Sequence, residues 1–375
     1  MFSLRNRCGL KSYSIILVLG KGGGCFTRRV IVKCAFQNCL KGRKFVKDDP
    51  FTLMLECHMY PDLDHIKYYP GVRNWFNSVT GTGLPKLVGL NPEDVHQVPL
   101  ADELIRDMDR CGVDMASCLR ESMMDTTGFA TAMSTNGQIA AEVAKYPDRL
   151  IFEANCGPVL KRGVKHAVWE MEYVVKEMGA KLCKIYQPED IGPLNDPGMW
   201  PFYEKAEELG VPLTIHTGAN WCGGQHGKYC LPLQLEDVLN DFPNLKIIAY
   251  HMAVPYQEQL FILACRFPNL YMSVSFILGW WTQSPYRGYH MIGEAMQFCG
   301  GAQQIVLGMD WPFVNLKACI DYMKNLDMPD ELVEKWGYKK IDDNDRRMML
   351  GGNVAKLLGI KPRKLVGTTP IQPAR

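Results

Sequence analysis

Val211-Pro-Leu-Thr-Ile-His216 and Leu245-Lys-Ile-Ile-Ala-Tyr-His251 are two short apolar runs, each closed by a histidine, with a helical pattern over Leu233 to Asp241 between them. Short β-rich runs separated by an amphipathic stretch read as a strand, helix, strand unit of a parallel sheet. The alternation continues in both directions from this stretch and begins near Phe51. Strands are expected at Thr52 to His58, Met115 to Arg120, Leu150 to Ala154, Leu182 to Tyr186, Pro212 to His216, Lys246 to His251, Leu270 to Val274 and Gln304 to Gly308. Helical patterns at Ala101 to Cys111, Gly137 to Tyr146, Val164 to Gly179, Trp200 to Leu209 and Tyr256 to Phe267 fall between them. Eight such units over about 250 residues predict an α/β fold, a (β/α)8 barrel of the TIM type. Residues Tyr60 to Leu100, rich in Pro, Gly, Tyr and Trp, form an insertion after strand one, expected to cover the barrel mouth as a lid or substrate wall.

The 375 residues are 47% hydrophobic and 22% charged, enough for one large barrel. No window of 18 residues is uniformly apolar, which argues against a membrane span. The net charge of +2 conceals a division: residues 1–47 hold eleven Lys or Arg and no acid, leaving 31 basic against 40 acidic residues in the remainder. A body that acidic, without a basic stripe, is a poor match for nucleic acid. The head reads either as an Arg-rich transit peptide or as read-through upstream of the true start. The expected organisation is therefore a head over 1–47, a barrel over 48–360 and a tail over 361–375, in the cytoplasm, or in an organelle if the head directs import. The fourteen cysteines are irregularly spaced, and the close pairs Cys34/Cys39 and Cys222/Cys230 lack partners for a zinc site, so reduced, buried thiols are expected.

Polar residues gather at the carboxyl ends of the expected strands. Glu56 and His58 are two apart on strand one and so share a face; His216 and His251 close strands five and six; Asp310 follows Ile305-Val-Leu-Gly-Met. Barrel strands bring these ends to one mouth, where carboxylates and imidazoles can hold a divalent metal or act as acid and base. Arg120, at the end of strand two, has the fork to grip a substrate carboxylate, or else forms an ordinary salt bridge. Tyr60, Tyr186, Trp221, Trp280 and Trp281 are candidates for an aromatic wall around a planar substrate.

Five ordered motifs, Leu55-Glu-Cys-His-Met, Leu213-Thr-Ile-His-Thr-Gly, Ile248-Ala-Tyr-His-Met, Gly308-Met-Asp-Trp-Pro and Met349-Leu-Gly-Gly-Asn-Val-Ala-Lys-Leu-Leu-Gly, resemble the amidohydrolase-related family over residues 50–360. That family includes the aminocarboxymuconate-semialdehyde and resorcylate-type decarboxylases. The resemblance implies a distorted barrel, one catalytic divalent metal, often zinc or manganese, and a homodimer. It places the metal on Glu56, His58, His216 and Asp310, with Asp310 also in the catalytic set. His251 then becomes the acid/base. Many members begin strand one with His-x-His; the Glu-first form resembles the non-oxidative decarboxylases of hydroxylated benzoates and makes manganese or magnesium suitable beside zinc. The reaction implied is decarboxylation of a small (hydroxy)aromatic or unsaturated carboxylate. The alternative is hydrolysis or hydration by a metal-activated water. Lys184 on strand four raises the carboxylated lysine that bridges two metals in the wider superfamily, against a plain side chain facing outward between sheet and helices.

Overall fold

The sheet is assembled from strands that are buried on both faces, which is why each is a nearly continuous apolar run. In the computed structural model, which describes residues 49–61, 83–91, 99–120, 134–220 and 226–368, these strands are β1 Leu53–His58, β2 Met115–Leu119, β3 Leu150–Asn155, β4 Leu182–Ile185, β5 Leu213–His216, β6 Ile247–Tyr250, β7 Leu270–Ser273, β8 Ile305–Val306 and β9 Gly308–Trp311. All pairings are parallel, in the order β8-β7-β6-β5-β4-β3-β2-β1-β9. β8 and β9 are one barrel strand broken at Leu307: its first half pairs with β7 and its second with β1, which brings the ring round to its start. The eight-strand expectation holds, with the last strand divided and carried on to Trp311, so that Asp310 lies within it. The basic head, most of the insertion after strand one, Cys34, Cys39, Trp221 and Cys222 lie outside the described residues.

Helices follow from spacing. In Ala101–Cys111 the buried residues Leu104, Ile105, Met108 and Cys111 recur at one-, four- and seven-residue offsets, a single face laid on the sheet. Gly112 ends that helix at φ 75°, a left-handed conformation glycine adopts without steric penalty. Two apolar cores result. The larger lies between sheet and helices and takes Met54, Cys57, Cys118, Phe152, Cys183, Ile215 and Ala249 from the strands. The smaller fills the lower lumen with Leu53, Leu55, Ile151, Leu182, Ile248, Tyr250 and Val306. Cys57, Cys111, Cys118, Cys156, Cys183 and Cys319 are free, buried thiols. Among the described residues no helix is long and apolar enough to cross a membrane.

The two cores fix which way each side chain points. Leu53 and Leu55 face the lumen and Met54 the outer layer, so strict alternation would send Glu56 outward. Glu56 instead takes φ 63°, and the register with β2 slips between Met54 and Cys57. Past this bulge Glu56 and His58 share the inner face and Cys57 joins the outer core.

Candidate metal centre and active site

Above the apolar floor the lumen turns polar. Glu56 is buried, and its Oε1 accepts from Lys184 Nζ at 2.8 Å while its Oε2 accepts from Ser275 Oγ. Burial alone would raise the Glu56 carboxyl, but the Lys184 ammonium, then His251 and His58, together hold it below the usual carboxylate range. His58 Nε2 lies 2.7 Å from Asp310 Oδ1. Ligand atoms of Glu56, His58 and Asp310 all fall within 4.8 Å of one another, a spacing that suits one shared cation.

His216 stands just outside that group. Its Nδ1 lies 2.9 Å from His251 Nε2 and its Nε2 lies 3.1 Å from the Ala219 carbonyl. To serve as a fourth ligand it must exchange one of these contacts. Burial first, then the charges of His251 and Lys184, push the His216 imidazole well below its ordinary pKa, so it is neutral and has a lone pair to give. His251 Nδ1 meets the Ser275 carbonyl at 3.2 Å and Ser275 Oγ at 3.0 Å, and its Nε2 is 3.8 Å from Glu56 Oε1. His251 is thereby held between His216, Ser275 and the Glu56 carboxylate.

The backbone supports this arrangement at a cost. Glu56, His251 and Asp310 have φ of 63°, 63° and 61°, left-handed values that side-chain-bearing residues avoid by about 1–3 kcal/mol each. All three lie where a strand ends or bulges, which re-aims the side chain into the mouth.

Of the aromatic candidates for a wall, Tyr60 and Tyr186 lie beside the site histidines, and Phe313 joins them. Tyr60 and Phe313 flank His58, with ring centroids 6.1 and 5.9 Å away, and Tyr186 meets His216 edge-on at 4.7 Å while donating to Asn220 Oδ1 at 2.9 Å. Trp281 is instead buried against Tyr322 among the helices, and Trp280 lies beneath Arg287. Arg120 stands apart from the cluster. Leu119 is paired with His58 and shares the inner face, so Arg120 falls on the other side, where Nη2 reaches the Gly157 carbonyl at 3.3 Å and the neighbouring charges are Glu170 and Arg162. It makes no polar contact with the cluster, because the strand's alternation turns it toward the helices.

Lys184 corrects the outward reading in the opposite sense. It pairs with Thr214 across β4 and β5, points into the lumen at 2% exposure, and its ammonium is committed to Glu56. A carboxylate grafted on this nitrogen would face Glu56 with like charge, which counts against the bridging modification. Glu153 and Ser275 escaped the sequence reading altogether. The signal for Glu153 was a lone acid inside the apolar run Leu150-Ile-Phe-Glu-Ala, since a carboxylate in a doubly buried strand needs a dedicated set of donors.

Known proteins share this framework. A family model described as amidohydrolase matches residues 83–360. The γ-resorcylate decarboxylase of Polaromonas sp. (strain JS666) is 24% identical over 284 residues, spanning 64% of this chain and 85% of that one. The 2-amino-3-carboxymuconate-6-semialdehyde decarboxylase of Dictyostelium discoideum is 24% identical over 260 residues, 62% of this chain and 67% of the relative. The crystal structure of a dihydroxybenzoic acid decarboxylase from Polaromonas sp. JS666, with bound manganese and the inhibitor 2-nitroresorcinol, superposes with a TM-score of 0.56 at 19% identity, over 83% of this chain and 97% of its own. The family match starts beyond β1, so Glu56 and His58 join the site through the closed sheet. With three quarters of its length matched and its barrel shared, this chain belongs to the amidohydrolase family.

Proposed function

We propose that the protein is a metal-dependent carboxy-lyase that removes carbon dioxide, without oxidation, from a small hydroxy-aromatic or unsaturated carboxylic acid. The observation that carries this reading is the Glu56, His58 and Asp310 group at the barrel mouth with His251 beside it. Relatives named as decarboxylases of such acids support the lyase over the hydrolase. Two hard carboxylates and an imidazole suit a divalent ion, manganese or magnesium as well as zinc. Glu56, His58 and Asp310 would hold it, with His216 the fourth donor on release from His251. A bound divalent ion would supply Lewis acidity toward the oxygens of a substrate carboxylate and adjacent hydroxyl.

The remaining roles belong to the chain itself. Tyr60 and Phe313 beside His58 and Tyr186 beside His216 offer apolar faces for a flat substrate and keep water from the reacting carbon. His251 stays anchored by Nδ1 to the Ser275 carbonyl, and its Nε2 proton passes to the carbon from which carbon dioxide departs. One proton replaces one carboxylate, so no oxidant or reductant is consumed. Lys184 and Ser275 keep the Glu56 carboxylate in place during the exchange. The homodimer of the resemblance forms part of the same proposal.

The test is carbon dioxide release from a panel of hydroxybenzoates and muconate semialdehydes with added Mn2+. Release from at least one panel member, lost in metal-stripped protein, is the expected result. His251→Asn should retain metal and lose on the order of 10²–10⁴-fold in turnover. Cleavage of lactones or amides with no carbon dioxide from any acid would assign the hydrolase instead.

A further inference from the structure

Beneath the cluster, at the centre of the lumen, lies a carboxylate that the proposed chemistry leaves unused. Glu153 on β3 is fully buried. It accepts from Ser117 Oγ of β2 at 2.6 Å, Thr214 Oγ1 of β5 at 2.6 Å and Tyr250 Oη of β6 at 2.8 Å. Each donor is one short link from the site. Ser117 Oγ also accepts from the backbone N–H of Glu56 at 3.1 Å, the residue held in a left-handed conformation. Thr214 stands two residues before His216 on the same strand, and Tyr250 stands immediately before His251. The Tyr250 ring in turn lies beneath Lys184 Nζ, 5.3 Å from its centroid, and Lys184 grips Glu56.

We propose that Glu153 is a positioning residue for the metal centre: it fixes the Glu56 backbone through Ser117, and sets the depth of the strands that carry His216 and His251 through Thr214 and Tyr250. A hydroxyl donating to a buried carboxylate is pinned in direction, and this leaves the Ser117 lone pair aimed at the Glu56 N–H. That bond holds the bulge which turns Glu56 inward. Burial pushes the Glu153 carboxyl up, against the three hydroxyls and the Lys184 charge that favour its ionised form. Simple cementing of the barrel would need none of these links to reach the residues of the mouth.

The inference rests on the metal reading above, and the experiment separates the two. Mn2+ affinity of the full-length protein is measured by calorimetric titration for wild type, Glu153→Gln, Ser117→Ala and the double variant, with thermal unfolding of each recorded alongside. Glu153→Gln is expected to weaken Mn2+ binding about 10- to 100-fold, as loss of a residue supporting metal ligands does. Ser117→Ala should weaken it by a smaller factor. The double variant should be no weaker than Glu153→Gln within about twofold, because Ser117 acts through the orientation that Glu153 gives its hydroxyl. Multiplying effects would mean that Glu153 acts only as a distant charge, and would overturn the proposal. Unchanged Mn2+ affinity in folded Glu153→Gln, with lowered thermal stability alone, would overturn it as well. If Glu153→Gln does not fold, Ser117→Ala and Tyr250→Phe decide it: affinity equal to wild type in both refutes the positioning role. Absence of Mn2+ binding by the wild type would instead remove the metal reading on which this rests.

Discussion

Replacement of Lys184 by Met tests the charge arrangement of the lumen most directly. The ammonium and the Glu56 carboxylate are 2.8 Å apart at 2% and 1% side-chain exposure, so neither has water to fall back on. Removing one partner of such a pair ordinarily costs about 3–5 kcal/mol, since a charge is left buried without compensation. Glu56 would keep Ser275 and His251, which places the expected loss of the metal-free protein near the lower figure, about 3 kcal/mol. A divalent ion held by Glu56 supplies positive charge to the same carboxylate. Mn2+ should therefore stabilise Lys184→Met more than it stabilises wild type, and the deficit should shrink when the ion is present. For scale, an ion at 100 times its Kd adds about 2.7 kcal/mol to any protein that binds it only when folded. Urea unfolding of both proteins, metal-stripped and then with saturating Mn2+, measures all four values. A metal-free loss below about 1 kcal/mol, or a deficit identical with and without Mn2+, would refute the reasoning.

Three further outcomes follow from the same geometry. His58→Ala and Asp310→Ala should lower bound metal to near zero by elemental analysis, and His216→Ala should do so only if His216 leaves His251 for the ion, so full occupancy in that variant would confine the ligands to Glu56, His58 and Asp310. The metal-free protein should lose stability as pH falls below about 6.5, because unfolding frees His216 to take up a proton it refuses when buried; the unfolded state then binds more protons, and the slope contributed is about 1.4 kcal/mol per pH unit until the lowered folded pKa is reached. A stability curve flat between pH 6.5 and 5 would contradict this. Removal of residues 1–47 leaves β1 whole from Leu53, and the shortened chain should stay soluble, bind metal and turn over near the full-length rate in a side-by-side assay; a fall in activity with metal intact would give the head a role at the mouth.

Much of this protein could be read from its sequence because two local patterns carried it. Apolar runs alternating with amphipathic helices specify parallel strands, and parallel strands in a ring place their carboxyl ends together, so Glu56, His58, His216, His251 and Asp310 were legible as one group before any contact was known. Tertiary structure decided what the period of two could not. Alternation alone would have turned Glu56 and His58 outward once Leu53 and Leu55 were inside; one left-handed residue and a slipped register reversed that. The same parity carried Arg120 to the outer layer and Lys184 to the inner one, although each is a lone cation at or near a strand end. Sequence lists a basic residue, but only the packed ring determines whether it meets a carboxylate. Glu153 makes the point most sharply: its three hydroxyl partners come from β2, β5 and β6, 36, 61 and 97 residues away, and nothing local records that they converge.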